Sequence, residues 1–79
     1  MTPSIWPWVR DKMKAEDKAE VYAYVKAHPR TPITIGYNSR KRHFFALVGG
    51  QEATDNREPM AAFRRACLMV AAVVAGDLA

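Results

Sequence analysis

The sequence predicts one α+β domain: a helix, an antiparallel β-hairpin and a second helix, with both helices packed on a small sheet. Three observations predict it. Ile33, Ile35 and Tyr37 alternate with Thr34 and Gly36, the period-2 pattern of a half-buried strand, and Arg42 to Val48 alternates likewise. Met60, Phe63, Cys67, Val70 and Val74 recur at steps of three and four, the spacing of one helical face. The 79 residues suffice for a single domain, residues 1–79, and leave no room for a second.

Ser4 to His28 is rich in Ala, Glu, Lys and Asp and reads as helix, with Ser4 as N-cap and Pro7 in the first turn. Trp6, Val9 and Met13 share one helical face. Val21, Tyr22 and Val25 share another, so a break is expected near Ala15. Val21 to Val25 has strand propensity, but its Ala, Glu and Lys neighbours favour helix. His28-Pro29-Arg30-Thr31-Pro32 ends that helix, because residues before proline leave the α region. Asn38 to Lys41 is turn chemistry between the two hairpin strands. In the second strand His43, Phe45 and Leu47 face one way, and Phe44, Ala46 and Val48 the other. Gly49-Gly50 closes the hairpin, and Gln51 to Thr54 either adds a brief third strand or crosses to the last helix. Asp55 or Asn56 caps that helix, Glu58 and Pro59 fall in its first turn, and Gly76 stops it.

The net charge is +4 and the isoelectric point near 9.6, which suits nucleic acid, an acidic partner or solubility alone. A single cysteine, Cys67, excludes an intrachain disulfide and fits a reducing cytosol. Residues Met1 to Trp8 lack the basic and apolar regions of a signal peptide. The longest apolar stretch, Ala66 to Ala75, is half of the roughly 20 residues a membrane span needs. A cytoplasmic protein with no membrane partner is expected.

The chemistry-bearing residues are sparse. Cys67 stands mid-helix in an apolar setting, which suits core filling better than an activated thiolate. His28 and His43 have no cysteine or carboxylate at metal-ligand spacing. Glu16 and Glu20 form an i,i+4 pair on a solvated face, and Gly49-Gly50 lacks the lysine and hydroxyl of a phosphate loop. The expectation is a chain with no catalytic residues, no metal site and no cofactor.

The candidate partner-binding residues fall in three groups. Arg40, Lys41 and Arg42 form a basic hairpin tip, which Arg30, Arg64 and Arg65 could join, with Tyr37, Phe44 and Phe45 near enough to stack on bases. Trp6 and Trp8 flank Pro7 as either a lid on the core or an anchor for a partner. Leu68, Met69 and Val73 make the last helix more apolar than one sheet face requires, which suggests a homodimer or a partner surface. One composite epitope would place the tryptophans at one end and the basic tip at the other.

Asn56 to Ala72 places a proline and an apolar pair before Arg-Ala and an alanine-rich tail, after a hairpin. That arrangement resembles the small phage "ABA sandwich" proteins over roughly Ile33 to Ala72. The resemblance implies a phage or prophage accessory protein that binds and inhibits or modulates a bacterial host protein, and it carries over no catalytic residue. The element order is also similar to double-stranded-RNA-binding domains, but their lysine-rich start of the last helix is missing; Arg57 is the only basic residue near that position. A non-enzymatic protein-binding module is therefore the first expectation. A nucleic-acid-binding domain using the basic hairpin is the second, and a small enzyme or antidote protein ranks last.

Overall fold

The computed structural model describes residues 2–78, and the side chains through Gly76. In chain order its elements are β1 (Ser4–Ile5), α1 (Pro7–Lys12), α2 (Ala15–Ala27), β2 (Ile33–Asn38), β3 (His43–Val48), β4 (Gln51–Asp55) and α3 (Pro59–Leu78). The strands form one mixed sheet in sequence order, with β1 parallel to β2 and the other pairs antiparallel. The expected α+β arrangement of helix, hairpin and helix is present, and Gln51 to Asp55 is a full third strand of the meander.

Strand register explains the layering. Ile35 pairs with Ala46, which pairs with Ala53, and Ile33 pairs with Val48, so these side chains share one face of the sheet. All are buried, together with Val9 and Met13 around α1, Val21 and Val25 from α2, and Met60, Ala62, Phe63 and Ala66 from α3. The helices therefore cover one face. Thr34, Phe45, Leu47, Glu52 and Thr54 lie on the other, which carries no helix. Alanines at the paired positions 46 and 53, and at 62 and 66 on α3, have small side chains that let the helix seat closely over β3 and β4.

Turn chemistry sets the two ends of the sheet. Asn38 Oδ1 accepts from the backbone N–H of Arg40 (3.1 Å) and of Lys41 (3.2 Å), and Arg42 completes the turn at φ +54°. At the opposite end Gly49 and Gly50 adopt φ +54° and +85°, the left-handed pair of a tight hairpin.

Two sequence expectations are corrected, the cap at Ser4 and the stop at Gly76. Ser4 does not cap a helix: Ser4 and Ile5 pair with Thr34 and Ile35, and the Trp6 N–H donates to the Ile35 carbonyl at 3.0 Å. A two-residue parallel strand has too few positions to show periodicity, and Pro7, at the start of α1, marks the true helix start. The expected break near Ala15 is present, at Met13–Lys14 between a short entry helix and a second one. Gly76 does not stop α3, which continues to Leu78. Asp55 acts as an Asx turn before α3, its Oδ1 accepting from the N–H of Arg57 (2.8 Å) and Glu58 (3.0 Å).

Gly36 occupies the one strand position where no side chain fits. A Cβ there would lie 2.6 Å from Phe45 Cζ and 2.8 Å from Trp6 Cε2. Gly36→Ala should therefore displace the Trp6 indole, destabilise the fold by about 1–3 kcal/mol and shift tryptophan emission. A denaturant melt with unchanged midpoint and emission would refute that packing.

Candidate interaction surfaces

The sequence-predicted site residues divide between two ends of the molecule. The β2–β3 tip carries Arg40, Lys41 and Arg42, all exposed, and no acidic side chain among the described residues pairs with them. Arg64 and Arg65 do not join the tip. Arg64 forms a two-pronged hydrogen bond to Glu20, with Nε and Nη2 each 2.9 Å from a carboxylate oxygen. Arg65 donates to the Thr54 carbonyl on the outer edge of β4 and lies 3.6 Å from Asp55. Arg30 precedes β2 and so belongs to the end opposite the tip. Helical spacing carries the two α3 arginines to carboxylates on either side of that helix.

The tryptophans sit on opposite faces of the sheet at its tip end, so the composite epitope with tryptophans and tip at opposite ends is not formed. Trp8 stacks nearly parallel on Phe44 at 5.9 Å and tilts against Tyr37 at 4.9 Å, with Lys12 Nζ 4.6 Å from its ring centre. Phe44 and Tyr37 are cross-strand partners one step from the turn. Trp6 crosses to the open face and meets Phe45 edge-on at 5.5 Å, over the space that Gly36 leaves. Each indole remains about half exposed, at 45% for Trp6 and 51% for Trp8. Both tryptophans thus cover apolar surface while keeping one flank in water. The position of Trp6 on the open face was missed from sequence; Gly36 opposite Phe45 in the hairpin register was the available signal.

The second end is apolar. Val70 lies beside the Gly49 turn, 3.6 Å from where a Cβ at that glycine would stand, so the rest of α3 runs past the sheet. Every residue from Ala71 to Gly76 is exposed, and no charged residue occurs from Ala66 to Gly76. Leu68 is 72% exposed and Val74 51%, while Met69 and Val73 are also open to solvent. Val74 was expected to extend the core stripe of α3, but it projects beyond the sheet and reaches no core. The stretch Pro59–Gly76 has the length and composition of a membrane span, although it includes Arg64 and Arg65.

Beside α3 a groove of about 560 Å³ runs along α2, with Tyr24, Phe63, Cys67 and Leu68 in its wall and Glu20 and Arg64 at its rim. Burial pushes the Cys67 thiol above its ordinary pKa, with a smaller opposing hydrogen bond from Tyr24, so the neutral thiol is the resting form. Tyr24 is itself raised by burial, and its ring stacks on His28, whose Nδ1 meets the Tyr24 carbonyl at 3.2 Å. His28 thereby finishes α2. His43 opens β3, and no three metal-ligating side chains converge among the described residues. A mixed-charge cleft of about 430 Å³ between Lys12, Lys14, Asp17, Arg57 and Glu58 contains both signs of charge and no nucleophile–base pair.

Compared with known proteins, the chain matches no family model, no curated protein and no solved structure.

The hydrogen bond from Arg64 holds the Glu20 carboxyl below its ordinary range, against a smaller opposing effect of burial. A depressed carboxyl contributes stability above its unfolded pKa and loses it as pH falls through the folded one. Glu20→Gln should therefore be less stable than the parent at pH 7, by a small amount because the pair is exposed. The two should converge as the pH falls below the ordinary carboxylate range and Glu20 becomes protonated in the folded protein as well. Thermal melts across that range check the sign; a gap that widens on acidification would contradict it.

Proposed function

We propose that this chain is a non-catalytic protein-binding module that engages its partner through the far end of α3. One observation carries the reading: eleven consecutive uncharged residues, Ala66 to Gly76, end in an exposed helix with Leu68 72% open to solvent. Monomers rarely expose contiguous apolar patches beyond a few hundred Å² unless the patch binds something. Leu68, Met69 and Val73 are the residues such a partner would bury first. The resemblance to small phage proteins adds an expected partner class, a bacterial host protein in the cytoplasm that binding would inhibit or modulate. The test is affinity capture from nuclease-treated bacterial lysate, followed by rebinding of the purified captured protein. A folded Leu68→Glu, Val73→Glu double variant should bind at least about tenfold more weakly, equivalent to roughly 1.4 kcal/mol. Equal affinity of parent and double variant would remove α3 as the contact.

A second reading is favoured by the open sheet face. Trp6 and Phe45 form an aromatic pair there, in a strand row adjoining the unpaired cations Arg40, Lys41 and Arg42. Aromatic rings flanked by phosphate-binding charges suit single-stranded nucleic acid. On this reading Arg40→Ala and Arg42→Ala should each weaken binding to an oligonucleotide and lower the salt slope by about one. A mobility-shift titration at low salt that shows no complex would end it.

A further inference from the structure

We infer that α3 is the interface of a symmetric homodimer, in which the exposed ends of two α3 helices pack antiparallel across a two-fold axis near Ala71. The inference rests on the protein-binding reading of the same helix and names its first occupant, a second copy of this chain.

Area carries the argument. A compact monomer of 8.9 kDa exposes about 4,800 Å². This chain exposes 5465 Å², roughly 650 Å² more than that scaling gives. Its radius of gyration, 12.3 Å, also exceeds the roughly 11.6 Å of a compact chain of this length. A stable interface removes about 800 Å² from each partner, the same order as this excess, and the exposed apolar residues Leu68, Val73 and Val74 of the α3 end are among its contributors.

The surface also suits a copy of itself. A two-fold interface must be self-complementary, and antiparallel helices centred at Ala71 set Leu68 of one copy against Val74 of the other, twice. Leu68, Ala71, Val74 and Ala75 follow one another at steps of three, three and one along one helical face. The small side chains at the centre permit close approach of the two backbones. Charge does not oppose the pairing. The net charge is +4, yet the nearest described charges, Arg64 and Arg65, are each paired with a carboxylate of their own chain. A bilayer fits less well: the uncharged stretch is eleven residues, about 16 Å of helix against a hydrocarbon core of about 30 Å. It also lacks the basic face of an interfacial helix.

The test uses the full chain. Light scattering should give twice the monomer mass at tens of micromolar, with a melting temperature that rises with concentration. Leu68→Glu and Val74→Glu, both at exposed positions, should return it to monomer with the far-UV dichroism of a folded protein. In a Cys67→Ser background, Ala71→Cys should form a disulfide-linked dimer on mild oxidation, because identical residues meet near the axis. Lys41→Cys, at the far end, should not. A chain that stays monomeric at 100 µM, or whose Lys41→Cys cross-links as fast as Ala71→Cys, overturns the dimer. So does a monomer that floats with phosphatidylcholine vesicles, which would make lipid the occupant. If Leu68→Glu still abolishes capture of a protein partner by such a monomer, only the dimer fails. If it changes neither mass nor capture, the protein-binding reading fails with it.

Discussion

The seating of α3 on the paired alanines of β3 and β4 is the contact on which the domain depends. Ala46 and Ala53 are direct cross-strand neighbours, and Ala62, Phe63 and Ala66 are fully or almost fully buried on the helix above them. Small groups on both surfaces bring the helix axis close to the sheet, so Phe63 can fill the space between α3 and α2, where its ring meets Tyr24 edge-on. Enlarging any of these alanines would lift the helix and open voids along its whole length. With so few residues, the chain covers only one sheet face this way. The other face is left to Trp6, Phe45 and Leu47, and the far end of α3 is left without a floor.

That division explains the distribution of charge. The two arginines of α3 that border the core are held to Glu20 and Asp55, one on each side of the helix. The arginines and lysine of the hairpin tip pair with no carboxylate among the described residues. Backbone N–H groups of Arg57 and Glu58 keep the Asp55 carboxylate charged by lowering its pKa, so the same residue shapes the entry into α3 and receives Arg65. The chain thus separates the charges paired within its own fold from the exposed ones at the tip.

Much of this architecture was legible from residue patterns. Alternation in Ile33 to Tyr37 marked the first hairpin strand and its buried face, that in Arg42 to Val48 marked the second strand but not which of its faces is buried, and the stripe from Met60 to Val70 marked the core side of α3. Turn residues marked the strand ends. What stayed illegible depends on partners distant in sequence. Ser4 and Ile5 become a strand only because β2 offers an edge, and Trp6 turns to the open face only because Gly36 vacates it. Arg64 and Arg65 looked available for the basic tip because sequence does not show that Glu20 lies beside α3. The surplus apolarity of α3 was plain; its overhang could be read only once the sheet was seen to end near Val70.

The parallel β1 carries a consequence for how the chain stays out of trouble. β2 alternates apolar residues with Thr34, Gly36 and Asn38, and its outer hydrogen-bonding edge is covered by only two strand residues. An uncovered edge of that composition is a template for strand addition by another chain. β1 offers two paired positions, and Ile5 packs at the margin of the core. Trp6 and Trp8 clamp it from the two sides of the sheet, one over Gly36 and one on Phe44 and Tyr37. The N-terminal aromatics therefore hold in place the short strand that shields the β2 edge from strand addition.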